Sequence, residues 1–448
     1  MPEAPLATTT ANPLLRLADR AARMPPSAEL AHHVRRAMVD WFACLIAGSR
    51  LSPATLLAAA LREERGAGRA RCYVDGELSG IRHAALINAA AAHIVEFDDI
   101  HRDSGHHPGS VTIAAALAAA QHRGVPLAVL HRAIAAGYEV SCRIGMAVTP
   151  SHYRYWHTTG TCGTMGAAAA VAVVLGCDAE RIGHAIALAA TMTGGLQEAF
   201  RGEAMCKPFH PGHAAEAGAL AAMAAAAGIR GALSVLDGPL GFAAATSEDR
   251  GKWDLALAGL DDQPIITAIT FKNHGCCGHI FAALDALAAL RAAHGFGPED
   301  VESIHVGGYG PTKEICDRPD PQGVQDHRFS LQYCAAAFLV LGGVRLAAFR
   351  PENMSDPRIR ALMRRVDVSL DPELAGAYPR RRPARVTVTL RDGRRLSHFQ
   401  PTRKGDPDMP LSDEELSAKF MELAAPVLGE AKASALLDRL WHGESLPD

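Results

Sequence analysis

The sequence is poor in aromatic side chains and carries no excess of charge of either sign. Phe, Trp and Tyr make up 5% of its 448 residues, while alanine is abundant. Alanine is the strongest helix former, so this composition points to close-packed helices. The 45 basic and 48 acidic residues leave a formal charge of −3, which argues against a nucleic-acid partner. The first residues lack a basic stretch followed by a long apolar run, so no secretory leader is expected. The ten cysteines follow no disulfide framework, and free thiols in a cytoplasmic protein are the expectation. One window, residues 158–177, is uncharged and long enough to cross a bilayer. It is built mostly from Thr, Gly and Ala, so it reads as a buried core helix, and no membrane contact is expected. There is no P-loop, no strand-framed G-x-G-x-x-G, no G-x-S-x-G and no H-E-x-x-H. Nucleotide hydrolysis, hydride transfer, serine-hydrolase chemistry and zincin chemistry therefore lack support.

The length suggests two domains. Residues 12–265 read as successive helices: 28–47, 81–95, 111–122, 127–148, 163–175, 179–192 and 214–227, most of them separated by Gly or Pro. After 265 the pattern changes. Residues 282–294 and 329–341 remain helical, but 301–310, 366–370 and 384–397 alternate like strands, the last around the Asp392-Gly393 turn. The fold class expected is mainly α: a large all-helical domain (1–265, completed by a C-terminal helix within 405–448) and a smaller α+β lid (266–404) with an antiparallel sheet. Ser412 and Glu415 form a capping-box pattern at the start of that last helix.

Four polar clusters stand out. Residues 93–110 gather Glu96, Asp98, Asp99, His101, Asp103, His106 and His107 after an apolar helix. They read as a solvated loop with helix caps, as a proton-handling or anion site, or as a loosely spaced divalent-cation site. In residues 154–166, His157 precedes a Thr/Gly turn leading into a helix, whose free N–H groups suit a carboxylate. Thr158, Thr159 and Thr161 either cap that helix or share the site. In residues 201–218, Lys207 falls in a Pro-broken loop before a helix starting near Gly212, with Arg201, His210 and His213 close in sequence. It is either an ordinary exposed lysine or a cation set for binding. Residues 271–279 hold Lys272, His274, Cys276, Cys277 and His279 at the expected domain junction. Adjacent cysteines do not make a C-x-x-C hook, so zinc is not expected there. What remains is Lys and His with carboxylates, a set suited to proton transfer on an anionic substrate.

In order and spacing, these clusters resemble the MmgE/PrpD family, whose members include 2-methylcitrate dehydratases, cis-aconitate decarboxylases and iminodisuccinate epimerases. The resemblance runs over nearly the whole chain: FDDIH…HHPGS, GYEVSCRIG, WHTTGTCGTMGAAAAVAVVLG, CKPFHPGHAA, LDGPLGF, FKNHGCCGH, RFSLQY and PLSDEELSAKF. It implies a helical domain with an α+β lid, a homodimer, no metal and no cofactor. It places catalytic positions on His107, His157, Lys207 and Lys272; Glu96, Asp99, Thr159, His210, Cys277, His279 and Arg318 are the residues expected to bind the substrate. The chain departs from the decarboxylase pattern at Glu96 (Asp there), Ile100 (Thr), Cys277 (His) and Ile315 (Tyr). The activity expected is a cofactor-independent lyase, foremost a hydro-lyase, acting on a small di- or tricarboxylate. An epimerase or isomerase, a decarboxylase and a non-catalytic carboxylate-binding protein are the alternatives, in that order.

Overall fold

The computed structural model describes residues 12–200, 204–378 and 380–447; Arg201 lies outside them. Contacts divide the chain into two units, Met1–Ile269 with Ser412–Asp448, and Thr270–Leu411.

The first unit is helical. Its principal helices are α1 (Pro13–Ala22), α2 (Ala28–Gly48), α3 (Ile81–Ile94), α4 (Pro108–Arg123), α5 (Leu127–Val148), α6 (Thr158–Val174), α7 (Ala179–Ala190) and α8 (Cys206–Ala226). Helix α6 is buried along its whole length. It is packed by α4, α5, α7 and α8, and small residues make this possible. A Cβ on Gly166 would sit 2.6 Å from that of Ser141 on α5, and one on Gly218 of α8 would sit 2.6 Å from that of Ala167. Larger side chains would force these helices apart, which is why Ala and Gly dominate their faces. No helix among the described residues is long and apolar enough to cross a membrane.

The second unit folds around α9 (Phe281–His294), α10 (Leu331–Leu341) and a four-stranded sheet. The strands are β1 (Val301–Gly308), β2 (Val366–Leu370), β3 (Ala384–Leu390) and β4 (Arg395–Gln400), in the order β2-β1-β3-β4. Strand β3 alternates buried and half-buried residues and pairs antiparallel with β1 and β4. The β3–β4 hairpin closes at Asp392-Gly393, where Gly393 has φ of 86°. The outer pair, β1 with β2, is parallel rather than antiparallel. The long helical connection between them carries the chain back to the same end, which a parallel pair requires.

The chain then returns to the first unit through α11 (Asp413–Leu428) and α12 (Glu430–His442), with α11 packed on α2. The Ser412/Glu415 capping box is formed.

Candidate active site

Three helix starts carry the cluster in the first unit. His107 is the N-cap of α4, His157 is the N-cap of α6, and Lys207 lies in the first turn of α8. Neither imidazole caps its own helix, so both rings are turned to other partners. Pro108 at the first helical position of α4 has no amide to lose, which fixes the start of that helix beside His107. Helix starts carry partial positive charge from unpaired N–H groups and so favour anions.

The acidic stretch after α3 supplies the opposite charge. His93, in the last turn of α3, meets the Asp98 carboxylate through Nδ1 at 2.7 Å. His107 Nδ1 lies 3.3 Å from the same Asp98 oxygen. Burial alone would push the Asp98 pKa up; the two imidazoles outweigh it and hold the group well below the usual carboxylate range. Asp98 therefore stays ionised. His93 stacks edge-on against His107 at 4.8 Å between ring centres and lies 5.6 Å from His157.

His157 is buried, and its Nδ1 lies 3.1 Å from His210 Nδ1. One of these nitrogens carries the shared proton. Burial, followed by His93 and Lys207, lowers the His157 pKa well below its ordinary value. Burial, then His93 and Lys207, takes His210 down to about 4. Both rings are thus neutral near pH 7 and can accept a proton.

Lys207 pairs with Glu96, and its ammonium lies 5.3 Å from the centre of the Phe200 ring. Phe200 also meets His157 edge-on at 4.9 Å. Glu96 has φ of 55°, a left-handed backbone that a non-glycine residue rarely adopts. That turn presents the carboxylate to Lys207.

Thr159 joins two of the helix starts by accepting the His107 backbone N–H at 3.1 Å. Asp99 points elsewhere. Its oxygens accept from Gly109 N–H at 3.0 Å and Tyr138 Oη at 2.7 Å. Burial, then Asp40, pushes its pKa to about 8, so Asp99 acts as a brace behind the cluster.

Several details differ from the sequence-based expectation. Lys207 is not in a loop before a helix at Gly212: α8 already begins at Cys206. Pro208 sits in its first turn, where a missing N–H costs nothing, and Pro211 is accommodated inside the helix. The Thr/Gly stretch is not a turn, because Thr158 opens α6. Thr161 bonds His152 Nε2 at 2.8 Å rather than capping the helix. His213 is exposed on α8. The 93–110 stretch is largely buried rather than solvated, and Asp103 is its exposed exception.

In the second unit, Lys272, Cys276 and Cys277 are buried. His274 meets Asp285 at 3.2 Å, and Cys277 donates its backbone N–H to the Arg328 carbonyl at 2.9 Å. His279 meets Tyr309 Oη at 2.7 Å, and burial, then Arg382 and Arg403, lowers its pKa well below the ordinary value. Arg318 pairs with Asp326 at 2.5 Å, and Ile315 packs against this unit's core.

The MmgE/PrpD N-terminal domain matches residues 16–253, and the MmgE/PrpD C-terminal domain matches residues 274–443. The chain belongs to the MmgE/PrpD family. Its relatives include the cis-aconitate decarboxylase of Homo sapiens, 28% identical over 379 residues, or 82% of this chain and 77% of the relative. The cis-aconitate decarboxylase-like protein oryM of Aspergillus oryzae is 25% identical over 98% of this chain and 96% of its own length. The cis-aconitate decarboxylase of Aspergillus terreus is 24% identical over 92% of this chain and 88% of the relative.

In this MmgE/PrpD protein the central residue that sequence reasoning passed over is His93. The signal was its position, on the last turn of α3 five residues before Asp98, so that a short return of the chain brings the two together. Asp98 stood out only as one acid among several. With His107 these groups offer three donor atoms within 4.8 Å of one another, a set whose chemistry also suits a divalent cation.

Proposed function

We propose that this protein is a lyase that eliminates water from a small di- or tricarboxylate by acid–base chemistry of its own side chains. The observation that carries this reading is the grouping of His107, His157 and Lys207, each at a separate helix start, with the ionised Asp98 held against His93 and His107. Removing a proton beside a carboxylate drives negative charge onto its oxygens. The ammonium of Lys207 and the N–H ends of α4, α6 and α8 hold that charge. His157, buried and neutral, takes the proton. His107, opposite the Asp98 carboxylate, donates a proton to the departing hydroxyl. Glu96 keeps Lys207 compensated until a substrate carboxylate competes for it. Lys272 enters on its family position alone.

Decarboxylation is the second reading, because the relatives carry that activity in their names. Ile315, Cys277 and Ile100 weigh against cis-aconitate as the substrate. Incubating the protein with citrate-like and aspartate-like acids, with 1H NMR for products and a trap for CO₂, tests both. Loss of water without CO₂ is the expected result. CO₂ release replaces dehydration with decarboxylation, and turnover of none of the acids overturns the lyase assignment.

A further inference from the structure

The carboxylate of Asp98 is shared by two imidazoles, yet Asp98 sits in a stretch with little regular backbone pairing. Its neighbour Phe97 is held in another way. Lys419, on α11, donates to Asp40 Oδ1 at 2.6 Å and to the Phe97 carbonyl at 2.7 Å. Its ammonium lies 4.3 Å from the centre of the Phe97 ring. The carbonyl that precedes Asp98 in the chain therefore ends on an ion pair, each partner of which is 1% exposed.

An ion pair this deep is a poor source of stability, since desolvation offsets most of its attraction and an apolar pair often does as well. Two apolar side chains could not hold the Phe97 carbonyl. We propose that Asp40 and Lys419 form a positioning clamp that sets the Asp98 carboxylate against His93 and His107. The clamp connects the C-terminal helix α11 to the acid–base cluster, and its catalytic consequence rests on the lyase reading above. Lys419 and Asp40 touch no reacting atom; they act through Asp98.

The decisive variant is D40N/K419M in the full chain. It removes both charges together, so no buried charge is stranded. The Phe97 carbonyl loses the ammonium that holds it. A clamp predicts a folded protein whose kcat falls about 10²-fold with KM little changed, the scale expected for a small misplacement of a catalytic group. The ring-nitrogen NMR signals of His93 and His107 shift as well. A pair that only balances charge predicts wild-type kcat and unmoved ring signals, and that result overturns the proposal. If the double variant does not fold, 15N NMR of the Lys419 ammonium in the wild-type protein decides. The Lys419 ammonium protons exchange slowly if they are held by Asp40 and the Phe97 carbonyl, and exchange as fast as at an exposed lysine overturns the idea. If the wild type turns over no acid, the lyase reading fails, while the ring signals and the ammonium exchange still judge the clamp.

Discussion

Asp98→Asn is the sharpest test of the acid–base cluster. The substitution keeps shape and hydrogen-bonding reach but deletes the negative charge that His93 and His107 share at 2.7 and 3.3 Å. A unit charge about 4 Å away, at an effective dielectric of about 20, is worth about 4 kcal/mol, close to three powers of ten. Relaxation of neighbouring groups trims this, so kcat near neutral pH is expected to fall about 10²–10³-fold. The two imidazoles lose the carboxylate they share, so the pH profile of the rate changes. Stability changes in a matching way. The carboxyl of Asp98 is held below its unfolded value, so its contribution is present above about pH 4 and is lost as the pH falls through the folded value. The variant should therefore show a shallower acid-unfolding curve. Initial rates across about pH 5 to 9, with product followed by 1H NMR, together with acid titration by circular dichroism, make the measurement. A variant with wild-type kcat and an unmoved pH profile refutes the assignment of Asp98 as the charge that sets up the histidines.

Other outcomes follow from the same geometry. His157→Ala should cost about 10²–10⁴-fold in kcat with the fold intact by circular dichroism, and near-normal turnover would remove His157 as the base. Lys207→Met removes one partner of the buried Glu96 ion pair and should destabilise the helical unit by roughly 3–5 kcal/mol in urea unfolding. The pair E96Q/K207M should regain most of that stability and none of the activity. Asp99, with a pKa pushed to about 8, keeps its proton in the folded state while the unfolded chain releases it. Stability should therefore fall as the pH rises from about 4 to about 8, and Asp99→Asn should flatten that slope in pH-dependent melting curves.

Much of this was legible in the chain. The helical spacing of residues 28–47 and 127–148 and the hairpin at Asp392-Gly393 are local signals, and the structure forms these elements with ends shifted by no more than a few residues. The start of α8 was not legible in the same way. Pro208 and Pro211 look like breakers in sequence, but the first turn of a helix needs no proline amide. The parallel pairing of β1 and β2 depends on where a long connection returns, which no local pattern encodes. The family pattern singled out His107, His157 and Lys207 as candidates, but charge-bearing residue types alone could not rank Asp98 and His93 above Asp99 and His101. That ranking depends on burial and on which oxygen faces which ring. Lys419 was invisible for a similar reason, because it lies more than 300 residues away from the carbonyl it holds.

The enclosure of α6 by four neighbours limits how this protein can change. A helix with no solvent face, seated on contacts between glycines and alanines, tolerates almost no added side-chain volume. Diversification toward other acids is thereby channelled to the short segments that join the helices, while the rod bearing His157 stays fixed. Selection experiments on this scaffold should gather accepted changes in those connectors and almost none along residues 158–174.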